Sequence, residues 1–115
     1  MISYIIHLER AHQRRANVER LVKTLPGQVE VVDAVDALRL TPEEAGKHHR
    51  GVHHHPRYPF RMRHTEIACF LSHRLVWSKI AEADDDYAMI LEDDCTIEPE
   101  TFGHALALAK SVASK

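Results

Sequence analysis

The chain has 115 residues, a formal net charge of −2, 44% hydrophobic and 28% charged residues. That is the composition of one ordinary globular domain with a core of its own, and it argues against a disordered tail or a dedicated nucleic-acid binder. The only two cysteines, Cys69 and Cys95, lie outside any Cys-x-x-Cys pair, which argues against a disulfide framework or a structural zinc site.

Residues 2–8 read as a first buried strand. Residues 1–9 lack the basic lead and long apolar run of a secretory leader. No apolar run approaches the ~18 residues of a membrane span. The expected setting is therefore reducing and cytoplasmic, with membrane contact at most peripheral, at the inner membrane. Residues 10–25 follow as a helix whose Val18, Leu21, Val22 and Leu25 share one apolar face, and Pro26-Gly27 ends it. Residues 29–35 form a second, β-branched strand. Strand, helix, strand in that order opens a parallel α/β sheet.

Thr41-Pro42-Glu43-Glu44 supplies an N-cap, a first-turn proline and first-turn acids. A short helix starts there, and Gly46 is expected to stop it. Residues 47–64 then carry Lys47, Arg50, Arg57, Arg61 and Arg63 among His48, His49, His53, His54, His55 and His64, with no acid between Glu44 and Glu66. With Gly51, Pro56 and Pro59 this reads as a mobile loop. It is either a plain surface connection or a basic lid that attracts phosphate or an anionic acceptor.

Thr65 and Glu66 open the longest helix, which is expected to run to about residue 83. Ile67, Phe70, Leu71, Leu75, Val76, Trp77 and Ile80 surround much of its circumference, so burial on most sides is expected. Cys69 reads as a small buried hydrophobe. Ser72 and His73 are neighbours on this helix and point about 100° apart, which disfavours a nucleophile–base pair. His73 reads as a core or pocket-wall histidine.

Residues 87–91 form a third strand, expected to be buried, and run into Glu92-Asp93-Asp94. Pro99 and Glu100 begin a final helix with Phe102, Leu106 and Ala109 on one face. A small sheet ending at the acidic strand leaves apolar edge surface, so a homo-oligomer is expected.

Three groups of residues can carry chemistry. Glu92, Asp93 and Asp94 sit at the carboxyl end of a strand, where open α/β sheets bind ligands. Such carboxylates are either a solvated acidic turn or ligands of a hard cation, Mn²⁺ or Mg²⁺, that bridges to phosphate. Glu9, Arg10, Arg14 and Arg15 stand after the first strand at the N-terminal end of the first helix, where backbone N–H groups and arginine forks suit phosphate, although a solvated face is the plainer reading. Arg14 is the better placed, because it aligns with Val18, Leu21 and Leu25. Asp33 and Asp36 end the second strand, either as turn formers or as partners of a ribose hydroxyl.

Four ordered segments resemble the family 25 glycosyltransferases, the lipooligosaccharide and collagen galactosyltransferase type. They are Tyr4-Ile5-Ile6-His7-Leu8 with Arg14-Arg15, then Asp33-Ala34-Val35-Asp36-Ala37, then Glu66-Ile67-Ala68-Cys69 with Ser72-His73 and Trp77, and finally Ile90-Leu91-Glu92-Asp93-Asp94. His7 stands where that family usually has asparagine, and Ala68 where it has glycine. The resemblance implies a GT-A, Rossmann-like three-layer α/β fold with a small, mostly parallel sheet. It implies a UDP-sugar donor, with UDP-galactose expected, and Mn²⁺ (or Mg²⁺) held by Asp94 with Glu92 or Asp93. It places Arg14, Arg15, Asp36, Glu66 and His73 in the donor site and implies inverting transfer to a lipooligosaccharide or other glycan acceptor. Chains of the family continue well past the acidic motif, so the expectation is a single domain, residues 1–115, forming the nucleotide-sugar-binding half. No catalytic base can be named. The alternative is a non-catalytic nucleotide-binding or assembly module. A two-component receiver domain fits less well, because its acid pair lies on the first strand.

Overall fold

The computed structural model describes residues 1–48 and 62–113. Three strands, β1 (Ile2–His7), β2 (Gln28–Asp33) and β3 (Ala88–Glu92), form an all-parallel sheet in the order β2-β1-β3. Ile5 of β1 pairs with Val31 on one side and Leu91 on the other. The chain therefore moves from β1 to β2 and then back across β1 to β3. Ligand sites of open α/β sheets lie at the carboxyl ends of the strands where winding reverses in this way.

Helices cover both faces. Ile5 and Leu91 pack with Val18, Leu21 and Leu25 of and just after α1 (Arg15–Thr24), together with Phe102 of α4 (Pro99–Ala113). Tyr4, Ile6 and Val32 pack with Val76 and Ile80 of α3 (His64–Glu82) on the opposite face. The alternation of β1 side chains between two apolar layers makes it buried from Ser3 to His7, with Ile2 half-buried, as a buried strand predicts. The observed class is the expected one, α/β with a small three-stranded parallel sheet.

Several expectations change in detail. The first helix is preceded by a 3₁₀ turn, His12–Arg14, which leaves Arg10 outside the helix, and Val22 is 42% exposed rather than on the core face. Helix α2 (Pro42–His48) passes through Gly46; glycine inside a helix costs only about 0.5–1 kcal/mol, too little to force a stop. The expected loop at 47–64 is narrower at both ends, since Lys47 and His48 belong to α2 and His64 opens α3; residues 49–61 lie outside the described residues.

Strand β2 ends at Asp33, two residues early: the Ala34 N–H makes the last bond to β1, at the His7 carbonyl, and the Val35 N–H leaves the sheet for Ser72 Oγ. Strand β3 is only partly buried, since it has a strand neighbour on one side alone. Helix α3 buries a single face through Ile67, Ala68, Ser72 and Val76, leaving Phe70, Leu75 and Trp77 exposed among the described residues. Helix α4 has no buried residue, with Phe102 and Leu106 half-buried at its contact side. No helix among the described residues is long and apolar enough to cross a membrane.

The sheet core makes Leu21, 2% exposed, the natural probe of stability. Leu21→Ala should lower the unfolding free energy by about 2–5 kcal/mol, whereas Leu38→Ala, at a residue 78% exposed, should change it by no more than about 0.5 kcal/mol. Urea unfolding of the two variants would check the contrast; equal effects would remove α1 from the core.

Candidate functional site

The carboxyl ends of β1 and β3 open into a cleft of about 300 Å³, closed on its far side by α3. Strand β3 ends at Glu92 and the chain turns there, with the Cys95 N–H bonding to the Glu92 carbonyl at 3.1 Å; the turn leaves Glu92 exposed, Asp93 buried and Asp94 exposed. Asp93 is 4% exposed and points inward. Its Oδ2 accepts from His7 Nδ1 at 3.0 Å and from the Leu8 backbone N–H at 3.3 Å, and its Oδ1 accepts from Arg14 at 2.9 Å. An ionised carboxylate has only acceptors, so the proton of the His7 ring sits on Nδ1 in this contact. Asn17 completes the clamp by donating to the backbone carbonyls of Asp93 and Cys95.

Burial pushes the Asp93 carboxyl up, but hydrogen bonds from His7, Arg14 and the Leu8 N–H, with the Arg14 charge, outweigh it and hold it below the usual carboxylate range. The same hydrogen bond and charge raise the Arg14 guanidinium above its ordinary value. Asp93 is thus the fixed point of the acidic motif. Glu92 and Asp94, on the solvent side, line the cleft.

The cleft brings together Arg14, His73, Glu92, Asp93 and Asp94 among the residues expected in the site. Arg14 is 47% exposed while bonded to Asp93, so part of its fork faces the opening. His73 Nε2 lies 3.5 Å from Glu92 and its ring stands 6.4 Å from that of Trp77, so it is a wall histidine. Three expected residues lie outside this cleft. Arg15 is exposed and reaches back to the Glu9 carbonyl. Glu66 closes the first turn of α3 by accepting from the Arg63 N–H at 3.0 Å, the reciprocal half of a capping box.

Asp36 lines an adjoining hollow with Asp33, Leu8, Arg10 and Arg39. There it accepts from Arg10 at 2.8 Å and from the Leu38 N–H, and the Arg10 hydrogen bond, then that N–H, holds its carboxyl below the ordinary range. Arg10, Leu8 and Ala34 border both hollows.

The residues that sequence reasoning passed over are His7, Asn17 and Cys69. Cys69 is not a buried hydrophobe: it is exposed at the cleft and its Sγ–H points to Glu92 Oε1 at 3.7 Å. Burial, then Glu92, raises its thiol above the ordinary value. Its Cys-x-x-x-His spacing with His73, one helical turn apart, was the available signal. Ser72 is 2% exposed and bonds to the Ala68 carbonyl and the Val35 N–H; it is a strap between α3 and the end of β2.

The family model described as glycosyltransferase family 25 (LPS biosynthesis protein) matches residues 1–114. The chain belongs to glycosyltransferase family 25. It is 30% identical over 116 residues to a glycosyltransferase 25 family member of Drosophila pseudoobscura pseudoobscura, covering 96% of this chain and 18% of that protein. It is 35% identical over 101 residues to an Aedes aegypti member, covering 84% and 16%. Human procollagen galactosyltransferase 2 is 31% identical over 101 residues, covering 83% and 16%. The chain thus spans less than a fifth of the curated relatives it matches. No solved structure matches it.

The depressed Asp93 carboxyl has a stability consequence with a definite sign. A group whose folded pKa is lowered contributes stability above its unfolded pKa, about 3.9, and that contribution disappears as pH falls through the lower folded value. Asp93→Asn should therefore cost about 1–3 kcal/mol at pH 7, with the gap to wild type closing as pH falls below about 3.9. Urea unfolding of both proteins across that range would check it. A gap independent of pH would show that the Asp93 charge contributes nothing.

Proposed function

We propose that this chain binds the nucleoside-diphosphate end of a sugar donor, UDP-galactose, with Mn²⁺ or Mg²⁺ at Glu92 and Asp94, as the donor-side portion of a family 25 glycosyltransferase. The observation that carries the reading is the division of the acidic motif. Asp93 is committed to His7, Leu8 and Arg14, while its two neighbours face the cleft beside a half-exposed arginine. Two exposed carboxylates suit a hard cation that keeps other positions for water and phosphate oxygens.

When bound, the cation would neutralise the charge that develops on the departing UDP. The chain's own residues would do the rest. Arg14 would donate to a diphosphate oxygen through the part of its fork that Asp93 does not hold. Arg10, bordering both hollows, would steer the nucleotide, and Asp36 would accept from a ribose hydroxyl in the adjoining one. His73 would form the wall facing the sugar. Galactose is favoured as the sugar because relatives of the chain are procollagen galactosyltransferases. The acceptor would be a lipooligosaccharide or other glycan, a reading supported by the family's description as an LPS biosynthesis protein, and transfer would be inverting.

Among the described residues the cleft holds no carboxylate beyond Glu92, Asp93 and Asp94. With two on the cation and one in the clamp, none is left to take the acceptor proton. That favours, as the second reading, a donor-binding module without catalysis of its own. Transfer or donor hydrolysis by this chain alone would eliminate the second reading.

Isothermal calorimetry with UDP would test the shared core of both. UDP should bind in the presence of Mn²⁺, and Asp94→Asn should weaken it at least tenfold, or about 1.4 kcal/mol. Equal affinity in the two proteins would overturn the assignment.

A further inference from the structure

Besides the two carboxylates, the cleft holds a second set of potential ligands with different chemistry. Cys69 and His73 are four residues apart on α3, which places both side chains on one face of the helix. Glu92 reaches them from the end of β3. Its Oε1 lies 3.7 Å from Cys69 Sγ and 3.5 Å from His73 Nε2, and the three ligand atoms all fall within 4.8 Å of one another. A tetrahedral zinc ion with its ordinary bond lengths holds thiolate, imidazole and carboxylate atoms roughly 3.3–3.6 Å apart. The His73–Glu92 separation of 3.5 Å falls in that range and the Cys69–Glu92 separation of 3.7 Å lies just above it. The third needs only rotamer adjustment of side chains that are exposed or half-exposed.

We propose that Cys69, His73 and Glu92 form a binding site for a borderline-soft divalent cation, Zn²⁺, with a fourth coordination position open to the cleft. One sulfur, one nitrogen and one oxygen select zinc-like ions over Mn²⁺ or Mg²⁺, which prefer oxygen alone. The absence of a Cys-x-x-Cys pair argues against a closed structural site, but three protein ligands and an open position are the arrangement of accessible zinc sites. All three residues line the same cleft as Arg14 and Asp94, so the fourth ligand is water or an anion from that space. On binding, the Cys69 thiol proton passes to solvent and the thiolate–metal bond takes its place. Because Glu92 serves both cations, Zn²⁺ excludes the Mn²⁺–UDP complex. That consequence rests on the donor reading; the zinc site itself does not.

Cobalt is the probe, since a thiolate ligand gives Co²⁺ a near-ultraviolet charge-transfer band that histidines and carboxylates do not. The histidines of residues 48–64 can bind cobalt too, but they contribute no sulfur. The reduced full chain should show the band at one equivalent of Co²⁺, and added Zn²⁺ should abolish it. Cys69→Ser should lose it, Cys95→Ser should retain it, and His73→Ala should weaken Zn²⁺ binding at least tenfold in competition with a chromophoric chelator. No sulfur band in the wild-type chain, or one that follows Cys95, overturns the site. In calorimetry, saturating Zn²⁺ should lower the affinity for UDP with Mn²⁺ at least tenfold. An unchanged affinity overturns the exclusion alone, and a cobalt band in a chain that binds no UDP leaves the site standing while the donor reading fails.

Discussion

The Asp93 carboxylate ties together the three elements that make the site. It is nearly inaccessible to solvent, and a charge in that position is costly unless its lone pairs are satisfied. Three donors do this: the His7 ring and the Leu8 N–H from the end of β1, and the Arg14 guanidinium from the turn entering α1. Each donor fixes its own element against β3. The loop leaving β3 is also pinned through its backbone, by Asn17. The geometry of Glu92 and Asp94 is therefore inherited from a buried neighbour, and the cleft needs no glycine-rich loop to shape it.

The same hub explains the electrostatics of the cleft. Three consecutive carboxylates repel one another. Turning the middle one inward, onto a histidine and an arginine, removes its charge from the solvent side and leaves two outward carboxylates at the turn that ends β3. Arg14 then has two faces, one neutralising Asp93 and one open to an incoming anion. A second arginine–aspartate pair, Arg10 with Asp36, repeats the pattern in the adjoining hollow. The two hollows adjoin at the carboxyl ends of the strands, sharing Leu8, Arg10 and Ala34.

Much of this was legible in order and type. Apolar patterning, with the capping signals at Thr41-Pro42-Glu43-Glu44, predicted the three strands and four α-helices found among the described residues, and the position of the acids at a strand's carboxyl end marked the site. The preference for Arg14 over Arg15 followed from its alignment with Val18 and Leu21, and it is Arg14 that lines the cleft. The degree of burial was less legible. Periodicity counts apolar residues but does not know how many layers will cover them, so α3 and β3 were expected deeper than they lie. Phe70 and Trp77 meet each other edge to face on the open side of α3.

The chain by itself determined the order and type of the strands and helices, because those depend on local spacing and backbone preference, while several of their ends were set by tertiary contacts. It also determined the family, because ordered motifs persist along the chain. Only the tertiary structure decided what each polar side chain does. Asp93 became a buttress rather than an open ligand, Glu66 a helix cap, Asp36 the partner of Arg10, and Cys69 a neighbour of His73 and Glu92. These roles depend on contacts between residues far apart in sequence, 86 positions apart for His7 and Asp93. No local pattern encodes which distant donor will reach a given carboxylate.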